Sequence, residues 1–182
     1  KSMEGDVEKR LQEVVVWLEK EFAGIRSGQA SPQLLDSVKV ESYGAVVPMQ
    51  QVGSVNVEDA RTLRVSVWDA GGISAVEQAI REANLGVSVV TDSAGLRVIF
   101  PELTSERREQ LLKLAKSKLE DARISVRSVR DETMKEIDAA QKAGDISEDE
   151  KFSRKESVQS AVDAVNKKLE AVFQKKEAEL QS

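Results

Sequence analysis

TSERREQLLKLAKSKLEDARISVRSVRDETMKEIDAAQKAG, residues 104–144, has the spacing of one long helix with two distinct faces. Ala115, Leu119, Ala122, Val126, Val129, Thr133, Ile137 and Ala140 recur at alternating steps of three and four. That is the period of a seam buried against other helices. At about 100° per residue, Lys116, Arg123, Arg127 and Arg130 fall within an arc of roughly 60° beside this seam rather than opposite it. Arg107 and Arg108 stand near the start of the same helix. From Arg108 to Arg130 the helix rises roughly 33 Å at about 1.5 Å per residue, enough to follow a nucleic-acid backbone past several phosphates.

Outward from this helix the same period appears twice more. Over residues 4–26, Val7, Leu11, Val14, Leu18, Phe22 and Ile25 form a stripe that Val15 widens. Over residues 147–180 the seam is Val158, Val162, Val165, Leu169 and Val172, and Ser147-Glu148-Asp149-Glu150 before it has the form of a capping box. Thr104 is the expected N-cap of the long helix, with Glu106 close to the positive end of its dipole. Three matching seams cannot each be left wet. The economical solution is a three-helix bundle made from residues 1–29 and 104–182.

Residues 30–103 change period from 3.6 to 2. Val38-Lys39-Val40-Glu41, Val55-Asn56-Val57, Leu63-Arg64-Val65-Ser66-Val67 and Leu96-Arg97-Val98 alternate as strands with one buried face, and Tyr43-Gly44 supplies a turn. Ser74-Ala75-Val76-Glu77 reads as a capping box that opens a short helix ending near Leu85-Gly86. The result is a small β-rich α/β domain inserted between the first and second helices, so the fold class is α+β. Gly28 and Pro32 on the way in, and Pro101 on the way out, bracket this domain, and the expected hinges lie near 27–32 and 100–104.

Composition narrows the functional classes. Without cysteine there are no disulfides, thiolate zinc sites or Cys nucleophiles, and without histidine the commonest general base and metal ligand are missing. An enzyme is not expected, nor a metal or other cofactor. No apolar run is long enough for a membrane span and no secretory signal is visible, which fits a cytoplasmic protein. The net charge of −5 argues against a generic nucleic-acid binder, yet residues 107–130 carry 8 basic and 3 acidic groups. A local patch, not the total, decides where a phosphate backbone docks. Taken alone, such a stripe is also what a solvated helix face looks like.

The chain resembles the bacterial and organellar ribosome recycling factors over essentially its whole length. The resemblance is carried by Ile25-Arg26-Ser27-Gly28-Gln29-Ala30-Ser31-Pro32, by Val38-Lys39-Val40-Glu41-Ser42-Tyr43-Gly44, and by Ala75-Val76-Glu77-Gln78-Ala79-Ile80 with Asn84-Leu85-Gly86. It continues in Pro101-Glu102-Leu103-Thr104-Ser105-Glu106-Arg107-Arg108, in Arg123-Ile124-Ser125-Val126-Arg127-Ser128-Val129-Arg130 and in Ile146-Ser147-Glu148-Asp149. Three departures stand out. Gln29 replaces a common arginine, Asp131 replaces a frequent second arginine, and Val87-Ser88-Val89-Val90 replaces the usual Asn-Pro turn.

The resemblance implies an L-shaped molecule that binds between the ribosomal subunits after termination. With elongation factor G and GTP, it would split the spent complex for another round of translation. It further implies that the bundle lies on large-subunit ribosomal RNA through Arg108, Arg127 and Arg130. The arc adds Arg123 and Lys116 to that face. Arg26, Gly28, Gln29, Pro32 and Pro101 are the hinge candidates, and a monomer is expected. The competing reading is a helical adaptor or cochaperone that holds another protein, whose binding would depend little on salt.

Overall fold

The computed structural model describes residues 3–181. In chain order the elements are α1 (Met3–Ala23), β1 (Lys39–Ser42), β2 (Ala45–Pro48), β3 (Gly53–Asp59), β4 (Thr62–Val67), α2 (Ile73–Glu82), β5 (Ser88–Thr91), β6 (Gly95–Ile99), α3 (Ser105–Lys142) and α4 (Glu148–Gln181). They form two compact units, Gly28–Thr104 and the remainder of the chain. The architecture is α+β.

The first unit packs α1, α3 and α4 through their apolar stripes. On α3 the buried positions are Leu111 and the expected seam from Ala115 to Ile137, with Ala140 half-buried at its end. Thr133 stays in that seam because its hydroxyl donates to the Val129 carbonyl at 2.8 Å. On α1 the stripe centres on Val15, and Val14 lies at its edge, the reverse of the expected order. On α4 the seam continues through Phe173 instead of Val172. A step of four after Leu169 brings the Phe173 ring to 6.5 Å from that of Phe22, tilted by 53°. Fully burying side chains such as Leu11, Leu18 and Leu169 contributes about 1.5–3 kcal/mol each.

The ends of α3 and α4 are closed by local chemistry. Gly144 has φ +81°, and the Asp145 and Gly144 amides donate to the carbonyls of Ala140 and Gln141, a Schellman stop that only glycine enters without strain. Three residues on, the Ser147 hydroxyl accepts the Glu150 amide at 3.1 Å, so Ser147 is the N-cap of α4. Lys176 is buried near the far end of α4. Its ammonium donates to the Ile25 carbonyl just past α1 and pairs with Glu179 at 3.4 Å.

The second unit holds an antiparallel four-stranded sheet in the order β3-β4-β6-β5 and a separate hairpin of β1 and β2. Tyr43 and Gly44 both have positive φ, the conformation of a two-residue hairpin turn. Leu63, Val65, Leu96 and Val98 pack with Val76 and Ile80 of α2, Val40 of β1 and Met49 into one core. Two expectations change here. Ser74 is not a cap: Asp69 accepts the Gly71 amide, and the short 3-10 turn it starts runs straight into α2, which begins at Ile73. Residues 88–91 are a strand rather than a turn, because Val89 and Val90 have the β-branched shape that pairs along β6.

Asp92 closes the β5–β6 turn. Its carboxylate takes Arg64 at 2.5 and 2.9 Å and the amides of Ala94 and Gly95. The Arg64 fork, then those amides, hold it well below the usual carboxylate range. A depressed folded value means that its contribution to stability is present above about pH 4 and is lost as pH falls further. Asp92→Asn is therefore expected to lower the urea midpoint at pH 7 and to flatten its decline towards pH 3. Parallel pH curves for wild type and variant would show that this carboxylate is not linked to folding.

Candidate nucleic-acid interface

Because α3 is continuous for 38 residues, it fixes all the candidate basic side chains in one frame. The structure brings three of them together. Arg123, Arg127 and Arg130 line a groove of about 570 Å³ between α3 and α4, with Gln159 and Asn166 on its α4 side and Val126 and Val162 as aliphatic walls.

Each arginine is held differently. The Arg130 Nε donates to Gln159 Oε1 at 2.7 Å, and one of its terminal nitrogens pairs with Asp131 at 3.1 Å. Arg123 pairs across the helices with Glu170 at 2.7 Å. Arg127 is exposed and has no hydrogen-bond or ion-pair partner among the described residues. A guanidinium is planar, permanently charged and more weakly hydrated than an ammonium, so this arrangement offers a phosphate one free fork and two partly committed ones. Exposed pairs such as Arg130–Asp131 contribute only about 0–1 kcal/mol, so an incoming phosphate displaces them at little cost.

Lys116 and Arg108 lie outside the groove. Lys116 is exposed on the same face, roughly 10 Å before Arg123 along the helix at 1.5 Å per residue. Arg108 sits in the first turn of α3, half-buried, and its buried Nε has no hydrogen-bond partner. Periodicity within α3 could not reveal Gln159, Asn166 or Glu170. The signal that could have found the first two is on α4, where Gln159, Val162 and Asn166 follow steps of three and four beside the Val158–Val165 seam.

The hinge candidates lie on the two connecting strands. Gly28 has φ +78°, and a Cβ there would stand 3.0 Å from the Leu103 side chain on the other strand. Both strands are fastened to the β3–β4 turn: Ala30 donates to the Ala60 carbonyl at 2.7 Å, and Phe100 to the Arg61 carbonyl at 2.8 Å. Arg61 also pairs with Glu102 at 3.3 Å. Pro32 opens a 3-10 turn, whereas Arg26, Gln29 and Pro101 are exposed. Gly28→Ala is expected to cost about 1–2 kcal/mol for the left-handed backbone alone, read as a lower denaturation midpoint. An unchanged midpoint would mean that this glycine relaxes freely to another conformation. No helix among the described residues is long and apolar enough to cross a membrane.

A family model described as "Ribosome recycling factor" matches residues 18–180. The ribosome-recycling factor of Hyphomonas neptunium is 43% identical over 175 residues, covering 96% of this chain and 95% of the relative. That of Rhodospirillum centenum is 44% identical over 173 residues, covering 95% and 94%. Among solved structures, a solution structure of a ribosome recycling factor matches with TM-score 0.65 and 33% identity over 100% of this chain and 98% of that one. A second match, with TM-score 0.59 and 34% identity, covers 98% and 96%. It belongs to a set of models of the T. thermophilus ribosome recycling factor and E. coli elongation factor G bound to the E. coli post-termination complex.

Proposed function

The chain belongs to the ribosome recycling factor family, and from that premise we propose that its α3 face binds large-subunit ribosomal RNA in the post-termination ribosome. With elongation factor G and GTP it then promotes dissociation into subunits for another round of translation. The observation that carries the RNA contact is Arg127, exposed and unpaired between Arg123 and Arg130 on a rigid helix. Lys116 and Arg108 extend the same face towards the start of α3, where they meet phosphates further along the RNA.

The protein works by binding and movement, not by covalent catalysis, and acts as a cytoplasmic monomer. Because Ala30 and Phe100 are both fastened to the β3–β4 turn, the freedom of the connecting strands is confined to residues 26–29 and 101–104. Arg26, Gly28, Gln29 and Pro101 set the stiffness of that hinge, about which the inserted unit swings when the elongation factor engages. Pro32 lies past the fastened Ala30, at the start of a 3-10 turn.

The test is light scattering of post-termination ribosomes mixed with the protein, a cognate elongation factor G and GTP. Scattering is expected to fall as subunits separate, and to stay level when either factor or GTP is omitted. No fall in the complete mixture would sink the proposal. Together with salt-insensitive capture of another protein, that result would favour an adaptor.

A further inference from the structure

We propose that the groove between α3 and α4 receives a single unpaired ribonucleotide, and that Asn166 reads its ribose 2′-hydroxyl, so that the site prefers RNA to DNA. The inference rests on the reading of this face as RNA-binding and adds recognition of the sugar to it. Its starting point is the buried Oδ1 of Asn166, which accepts no hydrogen bond. An orphaned buried acceptor costs free energy that an apolar side chain would avoid, and such atoms in a folded protein call for an explanation.

Several neighbouring donors are engaged elsewhere, and Arg127 is the one left free. The Arg130 Nε is held by Gln159, the Gln159 amide donates to Asp163 at 2.9 Å, and Arg123 is drawn to Glu170. With the free fork of Arg127 taken up by a phosphate, what completes Asn166 brings its own O–H or N–H. A phosphate has only acceptors and suits the free fork of Arg127. A ribonucleotide carries both groups within one unit: a phosphate for the arginine and a hydroxyl on the adjoining sugar. The walls favour the sugar over the base as the donor. Val126 and Val162 are aliphatic, and no aromatic ring lines the groove among the described residues, whereas unpaired bases are commonly held by stacking on rings. A volume of about 570 Å³ lies within the range of small-molecule sites.

The experiment uses the full chain with unstructured RNA and DNA oligonucleotides of matched A/C sequence, followed by fluorescence anisotropy over a series of salt concentrations. Wild type is expected to bind RNA about three- to tenfold more tightly than DNA, the worth of one neutral hydrogen bond, whichever base predominates. Asn166→Ala should bring RNA down to the DNA level without changing the salt slope. The variant removes an unpaired buried atom, so its thermal midpoint should not fall, and Asn166→Leu provides a second version with the volume retained. Arg127→Ala should weaken RNA and DNA alike and reduce the salt slope by about 0.7, one phosphate contact on a single strand.

Equal affinity of wild type for RNA and DNA overturns the inference. So does a preference that survives both Asn166 variants, or one that follows the base instead of the sugar. If neither oligonucleotide binds while pelleting with large subunits still depends on Arg127, the inference fails and the RNA-binding reading stands. If pelleting is also indifferent to Arg127, that reading has failed with it.

Discussion

Replacing Arg127 and Arg130 together with alanine is expected to weaken binding to large ribosomal subunits roughly 100-fold or more and to abolish subunit splitting. Each charge-assisted hydrogen bond to a phosphate is worth about 1.5–3 kcal/mol, and two of them reach that loss even with incomplete additivity. The fold should hardly notice. Arg127 has no partner to lose, and Arg130 gives up an exposed pair with Asp131 and one bond to Gln159. The decisive measurement is pelleting with large subunits across a salt series, beside a thermal melt. Affinity should fall, the salt dependence should become shallower by about two contacts, and the melting midpoint should barely move. A double variant that binds as tightly as wild type would remove the groove from the RNA-facing surface.

Gly95→Ala is expected to unfold the inserted unit while leaving the helical bundle folded. An added Cβ at Gly95 would lie 2.0 Å from the Val65 carbonyl oxygen and 3.0 Å from its carbon. Across β4, a Cβ at Gly53 would lie 2.2 Å from the Ser66 oxygen. These neighbours are backbone, so no side chain can turn aside. Relief requires breaking the ladder that pairs Val65 with Leu96 and Ser66 with Gly95. The cost should be about 3 kcal/mol or more, at the upper end of overpacking effects. Hydrogen exchange reads it directly: protection should collapse across β3 to β6 and persist in α3 and α4. Protection retained in β4 and β6 would mean that the sheet accommodates the methyl group.

Most of the bundle was legible because burial repeats with the helical period, and three such repeats leave few ways to pack. The misplaced positions have a common cause. Val14 and Val15, or Val172 and Phe173, are adjacent apolar residues, and spacing alone does not say which points inwards. The Phe22–Phe173 contact decides one of those choices, and it joins two helices far apart in sequence. Lys176 was invisible for a similar reason, since a lysine reads as surface until the Ile25 carbonyl is placed beside it. In the inserted unit, β5 was read as an altered turn because four residues are too few for a clear alternation. The basic arc was readable along α3, but Gln159, Asn166 and Glu170 join it only through helix packing. Asp131 is adjacent to Arg130, but successive helix residues point about 100° apart, so their pairing, like the unpaired state of Arg127, required the structure.

The way the bundle is threaded has a kinetic consequence. α1 is synthesised first, yet the α3 and α4 surfaces that cover its stripe lie beyond an intervening stretch of about 80 residues. At the usual elongation rates of about 5–20 residues per second, its apolar side waits for several seconds. The inserted unit has its own core and is finished before α3 begins, so it can fold while α1 is still uncovered. The bundle must then close over a large sequence separation, a topology that slows folding and lengthens the exposure of Leu11, Leu18 and Phe22. The charged residues that separate these positions on α1, among them Lys9, Arg10, Glu13, Glu19 and Lys20, keep that waiting helix in solution. The same chain order that gives the inserted unit its two connecting strands thus leaves the first helix uncovered the longest.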